Sequence, residues 1–187
     1  MDKNHSDLYL FEKVKSGDQK SFDLLFQKYY NSLCNYAYLY LKENAQTEEL
    51  VADVYLKIWN NRQSIEIRTN LKSYFLRSTH NEVISYLRKS RLQTVSLEHN
   101  SDLGEVFEET PETLLINKET CNTFGSMINE LPKQAGLVFR LHKVDGLSYK
   151  QIAEVLELSI KTVDNHMGRA LKIIRKMCEL KPDFFKE

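Results

Sequence analysis

The stretch from Leu131 to Lys176, LPKQAGLVFRLHKVDGLSYKQIAEVLELSIKTVDNHMGRALKIIRK, leaves the backbone few choices. Leu131-Pro132 opens a helix, because proline is at home near a helix N-terminus, and Gly146 ends it. Ser148 followed three residues later by Gln151 forms a capping box for a short helix carrying Ile152, Ala153, Val155 and Leu156. Leu158-Ser159 then turns the chain. Ser159 caps a last helix whose buried face is read as Ile160, Val163, Met167, Ala170, Leu171 and Ile174. A short middle helix between two tight turns lets the last one cross it and project outward, the geometry that seats a helix in a DNA major groove.

The outward face of that last helix carries Lys161, Thr162, Asp164, Asn165, His166 and Arg169. Asn165 and Arg169 are the natural base readers, since an amide matches adenine and a guanidinium matches guanine bidentately. Lys161, Thr162, Lys172, Arg175 and Lys176 suit phosphates, which position a helix without specifying sequence. Asp164 works against a simple phosphate clamp.

The rest of the chain also reads as helix. Gly and Pro together number only nine among 187 residues, too few for a sheet fold rich in tight turns. Leu8, Phe11 and Val14 start a short helical pattern that breaks at Ser16-Gly17-Asp18, where Asp18 is an N-cap. Phe22, Leu25, Phe26, Tyr29, Leu33, Tyr36, Ala37 and Tyr40 recur at three and four residues, the period of a long helix with one buried face. After a turn at Lys42 to Gln46, Thr47 is read as the cap of a third helix with Leu50, Val51, Val54, Tyr55, Ile58 and Trp59 inward. Its outer face, Glu49, Asp53, Leu56 and Lys57, sets one apolar side chain among charges, either a small docking site or an unremarkable exposed leucine. A polar loop, Asn60 to Arg68, leads to a fourth helix from about Thr69 to Lys89.

Charge counted over the whole chain misleads. Twenty-six basic residues balance twenty-six acidic ones, yet residues 1–96 carry a net +3, 97–132 a net −7 and 133–187 a net +4. The neutrality is a cancellation between two mildly basic segments and an acidic middle, so it does not exclude nucleic acid. Within the first segment, Arg68 to Leu92 holds six basic residues against Glu82 alone and interleaves Tyr74, Phe75 and Tyr86 with Lys72, Arg77, Arg88, Lys89 and Arg91. Aromatics beside cations can stack unpaired bases, although buried Tyr and Phe are commoner in helical proteins. The expected organisation is all-α: two small helical domains, residues 1–95 and 117–187, joined by a flexible acidic linker over 96–116, the second domain a helix-turn-helix.

Other chemistry finds little footing. Cys34, Cys121 and Cys178 form no CxxC pair and suit a reducing, cytoplasmic setting as small apolar side chains. The first residues lack a signal-peptide core and no apolar run is long enough to span a bilayer, so no membrane insertion is expected. The five histidines are scattered without metal-ligand spacing, and no nucleotide loop or nucleophile elbow occurs. No cofactor or enzymatic activity is expected.

Taken in order, TEELVADVYLKIWNNR, LKSYFLRSTHNEVISYLRKSR and residues 131–176 resemble the extracytoplasmic-function group of bacterial RNA polymerase sigma-70 factors, collinearly over about 170 residues. The C-terminal pattern alone also resembles the helix-turn-helix of response regulators. The sigma resemblance implies that residues 1–95 correspond to region 2, which binds core polymerase and recognises and melts the −10 element, and residues 117–187 to region 4, which binds the −35 element. It implies polymerase contact through Glu49, Asp53, Leu56 and Lys57. It implies a flipped −10 base at the loop containing Asn61 and Arg62, and strand or duplex contacts from Arg77, Asn81, Arg88 and Lys89. The −35 element would meet Lys161, Thr162, Asn165, His166, Arg169 and Lys172. The acidic linker would run near the RNA exit path. Core RNA polymerase and promoter DNA are the implied partners, and many members are also held by a membrane-bound anti-sigma factor. The family usually has Asp at position 49, often Gln at 52 and often Asp at 85, where this chain has Glu49, Ala52 and Ser85. Glu49 keeps the charge, whereas Ser85 cannot form a carboxylate salt bridge with Arg88. A regulator that binds duplex alone and a helical adaptor that binds neither DNA nor polymerase are the competing readings.

Overall fold

A computed structural model of the chain describes residues 3–67, 70–95, 128 and 130–180, and among these the regular structure is entirely helical. The helices are α1 (Lys3–Lys15), α2 (Gln19–Leu41), α3 (Asn44–Asn60), α4 (Leu71–Val95), α5 (Lys133–Lys143), α6 (Tyr149–Leu156) and α7 (Ile160–Leu180). They fall into two compact units, one built on α1 to α4 and the other on the bulk of α5 to α7. Arg68, Thr69, the linker over 96–116 and Cys121 lie outside the described residues, as does the side chain of Arg91.

In the first unit α2 is the central helix, packed on α1, α3 and α4. Asp18 caps it, accepting from the Lys20 amide at 3.2 Å and the Ser21 hydroxyl at 2.7 Å. Gly17, at φ 94°, makes the turn before that cap in a conformation side-chain-bearing residues avoid. Phe11, Leu25, Leu33, Val51, Leu71, Phe75 and Leu76 are buried completely or nearly so. Phe75 is the hub of edge-on ring contacts, 5.5 Å from Tyr29 and 5.6 Å from Tyr55. Removing a ring so placed costs about 3–5 kcal/mol. The aromatic therefore belongs to the core, not to a base-stacking surface.

Two polar contacts inside this unit bind distant helices. Asp7, buried on α1, pairs with Lys28 and accepts from the Tyr29 hydroxyl on α2. Burial, reinforced by that carboxylate, pushes the Tyr29 phenol far up, so it stays a donor. Two turns further along the same face of α2, Tyr36 places its hydroxyl 2.7 Å from His80 Nδ1 on α4. Burial holds the His80 imidazole below its usual range, so the ring that shares a hydrogen bond with the tyrosine is neutral.

Helix α3 starts earlier than its sequence suggests. Glu43, not Thr47, is the N-cap, and it makes no side-chain cap bond. Thr47 sits one turn inside and is buried, its hydroxyl donating to the Glu43 carbonyl at 2.6 Å. A threonine can satisfy its hydroxyl inside a helix in this way, so its capping preference gave way to packing. Asn70 caps α4 by accepting from the Ser73 amide and hydroxyl at 2.6 and 2.8 Å, and the helix runs past Lys89 to Val95.

In the second unit the capping box forms as spaced. The Ser148 amide donates to Gln151 Oε1 at 2.8 Å, and the Gln151 amide donates to Ser148 Oγ at 3.3 Å. Ser159 Oγ accepts from the Thr162 amide at 3.0 Å and starts α7. Gly146 turns with φ 73°, and Glu157 takes a left-handed φ of 54° where α6 ends, one residue before the expected turn. Gly136 lets α5 approach the preceding segment: a β-carbon there would meet the Ile128 carbonyl at 3.3 Å. Leu137, Val138, Leu141, Ile152, Val155, Val163, Met167 and Ala170 are buried. Three residues expected on the buried face of α7 are not fully buried: Ile160 and Leu171 are 54% and 44% exposed, and Ile174 is half-buried. Ile160 and Leu171, eleven residues apart, share one edge of the apolar stripe, off the line through Val163, Met167 and Ala170 that packing covers.

Candidate nucleic-acid interface

On α7 the residues Lys161, Asn165, Arg169 and Lys172 fall at i, i+4, i+8 and i+11, one stripe along the helix, and all four are exposed. Val163, Met167 and Ala170 hold the opposite face in the core. The stripe is thus presented by packing, with amide and guanidinium in the middle and ammonium groups at either end. Thr162 and His166 are half-buried beside it. The Thr162 hydroxyl lies 2.8 Å from Ser159 Oγ, so part of its hydrogen-bonding capacity is spent on the cap.

On α4 a second stripe runs through Arg77, Asn81 and Arg88 at i, i+4 and i+11, again all exposed, with Lys89 alongside. Ile84 and Leu87, 46% and 37% exposed, accompany these charges, an apolar admixture that the charge pattern alone does not show. Tyr86 is partly exposed and donates to Gln46 Oε1 at 2.9 Å, which ties α4 to α3.

The turn after α3 differs from a free polar loop. The Asn61 side-chain amide donates to the Lys57 carbonyl at 2.8 Å and closes the end of α3. Arg62 folds back: Nη1 donates to the Trp59 carbonyl at 2.7 Å and the guanidinium lies 4.4 Å from the Trp59 ring centre. Its Nε is buried without a hydrogen-bond partner. Ile65 is buried beneath the turn. Asn61 and Arg62 therefore shape the turn itself.

On α3, Glu49, Asp53, Leu56 and Lys57 share one exposed face, with Leu56 at 59% exposure. Lys57 is also paired with Glu82 of α4, a contact across 25 residues that no local pattern announces. The remaining histidine on the rim of the second unit, His142, is engaged at Nδ1 with the Leu147 carbonyl at 2.8 Å and packs edge-on against Tyr149. Among the described residues no group of His, Cys, Asp and Glu has the arrangement to hold a metal ion.

A chain with separate helical units, each presenting a basic stripe, is a two-part nucleic-acid-binding protein. Family models resolve the class: sigma-70 region 2 matches residues 25–93, and sigma-70 region 4 matches residues 122–174. The chain is 26% identical over 177 residues to the ECF RNA polymerase sigma-E factor of Haemophilus influenzae, covering 90% of this chain and 93% of the relative. It is 25% identical over 166 residues to the ECF RNA polymerase sigma factor SigX of Bacillus subtilis, covering 87% and 86% of the two chains. With the sigma-E factor of Escherichia coli K12 it shares 25% identity over 182 residues, 93% of this chain and 95% of the other. The fold is that of CnrH, solved with the cytosolic domain of CnrY: TM-score 0.62 at 19% identity, covering 93% of this chain and 97% of that one. A similar likeness, TM-score 0.61 at 22% identity over 86% and 98% of the two chains, holds for RpoE of Bartonella quintana, solved with the anti-sigma factor NepR. The chain belongs to the extracytoplasmic-function group of the sigma-70 family, whose members are not enzymes.

Proposed function

We propose that the exposed faces divide the work of promoter recognition between the two units. As an ECF sigma factor the chain binds core RNA polymerase and directs promoter recognition and transcription initiation. The face of Glu49, Asp53, Leu56 and Lys57 is the polymerase-docking surface. The stripe of Arg77, Asn81, Arg88 and Lys89, with the turn at Asn61 and Arg62, engages the −10 element and its opened strand. The helix-turn-helix of α6 and α7 engages the −35 element through Lys161, Thr162, Asn165, His166, Arg169 and Lys172. One observation carries this reading: regions 2 and 4 match in order, and each presents an exposed basic stripe on the helix where the family reads DNA. Opening DNA needs no covalent chemistry, because stacking and phosphate contacts offset the few kcal/mol of unpairing per step.

The domain boundaries proposed with this function are 1–95 and 117–187, with the acidic stretch 96–116 as a linker that a growing transcript displaces from the RNA exit path. The likeness to two sigma factors, one solved with the cytosolic domain of CnrY and the other with the anti-sigma factor NepR, supports an anti-sigma factor, tethered to the membrane, as a further partner. No helix among the described residues is long and apolar enough to cross a membrane, and the chain acts on polymerase in the cytoplasm. Electrophoretic mobility shift on random duplex fragments, with and without core polymerase, tests the division of work. Polymerase should add selection for a −10 sequence to whatever −35 preference the chain shows alone. The same selected sequences with and without polymerase would argue for a simple duplex-binding regulator.

A further inference from the structure

Between α3, the turn at 61–67 and α4 the first unit holds a pocket of about 150 Å³. Its floor is apolar, made by Val54, Ile58 and Ile65, all buried. Its rim is polar, with Lys57 and Asn61 on one side and Ser78 and Glu82 on the other. Tyr74, Ser78 and Glu82 lie at i, i+4 and i+8, the stripe next to Arg77 and Asn81. A chain of phosphates held along Arg77 and Asn81 would thus pass beside the mouth of the pocket. An apolar floor under a polar, partly charged rim suits a flat heterocycle with hydrogen-bonding edges, and a nucleobase of the opened strand is such a group.

Of the rim groups only Glu82 is an anion, and it is the single acid between Arg68 and Leu92. A carboxylate amid a surface that binds phosphates weakens binding unless it has a specific task. Its side chain is 22% exposed and is held by Lys57, which is also part of the face assigned to polymerase docking. Building on that assignment, we propose that Glu82 reads the flipped base and that Lys57 guards it until polymerase draws the lysine away. The carboxylate accepts from the exocyclic amine of cytosine, adenine or guanine, and it is repelled by the two carbonyl oxygens that flank the ring N–H of thymine. Thymine is the excluded base. The ion pair links the two surfaces because Lys57 cannot serve both partners in full.

The test uses the full chain, free and bound to core polymerase, with a random single-stranded DNA pool whose bound fraction is sequenced. Wild-type holoenzyme should deplete thymine at one position by tenfold or more. Glu82→Gln, an amide that both donates and accepts, should let thymine back in at that position while leaving the rest of the selected sequence unchanged. Affinity provides a second readout with a sign that mere loss of a negative charge would not give. Glu82→Gln should strengthen strand binding by the free chain a few-fold, the range expected for release of one exposed ion pair, and weaken selected-strand binding by the holoenzyme. Strengthening in both states, or thymine depletion that survives Glu82→Gln, overturns the proposal. If wild-type holoenzyme shows no base preference at any position, the assignment of strand capture to the first unit fails instead. A circular-dichroism melt of Glu82→Gln that matches wild type ensures that either result reports on recognition.

Discussion

Leu56→Ala isolates the polymerase-docking face. Leu56 is 59% exposed, so its truncation removes little that supports the fold. Fully burying a leucine side chain is worth about 1.5–3 kcal/mol, and the fraction left for docking to cover scales to about 1–2 kcal/mol. That corresponds to roughly 5- to 30-fold in affinity for core polymerase, since about 1.4 kcal/mol is tenfold. Leu56→Glu should cost more, because a carboxylate must then be desolvated beside Glu49 and Asp53. The assay is competition by unlabelled variants against a fluorescent wild-type chain on core polymerase, with melting followed in parallel. Leu24→Ala is the control: Leu24 is similarly exposed, at 54%, but lies on α2 outside the assigned face, and its affinity should match wild type. A change of less than twofold for Leu56→Ala with an unchanged melt, or equal losses for Leu56→Ala and Leu24→Ala, would refute the assignment.

Arg169→Ala should cost about 1–3 kcal/mol in duplex binding and relax one base preference, whereas Lys172→Ala should weaken binding to all sequences and lower the slope of log affinity against log salt by about 1, as measured by titration at several salt concentrations. Ser148→Ala removes half of a capping box and should lower stability by about 1 kcal/mol in a denaturant melt, with Gln151→Ala acting through the same bonds and so costing less than additively in the double variant. His80 titrates below its ordinary value of 6.5 because it is buried, so in the acid window beneath 6.5 the unfolded chain binds the extra proton. The stability contributed by the neutral ring is complete above that value and is lost as pH falls through the window; His80→Asn, whose amide can pair with the Tyr36 hydroxyl but does not titrate, should flatten this part of a stability-against-pH curve.

What could be read from residues alone depended on how local the physical cause was. The capping box at Ser148 and Gln151, the Asp18 cap and the Gly146 turn are settled within a few residues, and each stands where its spacing places it. The start of α3 was harder because Glu43 and Thr47 are both within a turn of the boundary, and the choice was made by burial of Thr47 against the rest of the unit. Ile160 and Leu171 have the right period for a buried face, but period says nothing about the width of the neighbouring surface. The Asp7, Lys28 and Tyr29 cluster and the Lys57 and Glu82 pair join residues from different helices, and nothing near them in sequence signals it. The same holds for the site. The stripes on α4 and α7 follow from helical spacing, whereas the retreat of Arg62 onto Trp59 and the pocket beside Glu82 exist only once the helices pack.

This one chain both docks on polymerase and selects the promoter. The most direct measurement adds purified chain to core RNA polymerase and sequences the transcripts started from a library of random promoter fragments. Initiation that depends on the chain, from fragments sharing two spaced elements, and that falls sharply with either Leu56→Glu or Arg169→Ala, is the predicted result. Tight duplex binding by the chain with no chain-dependent initiation would contradict the account.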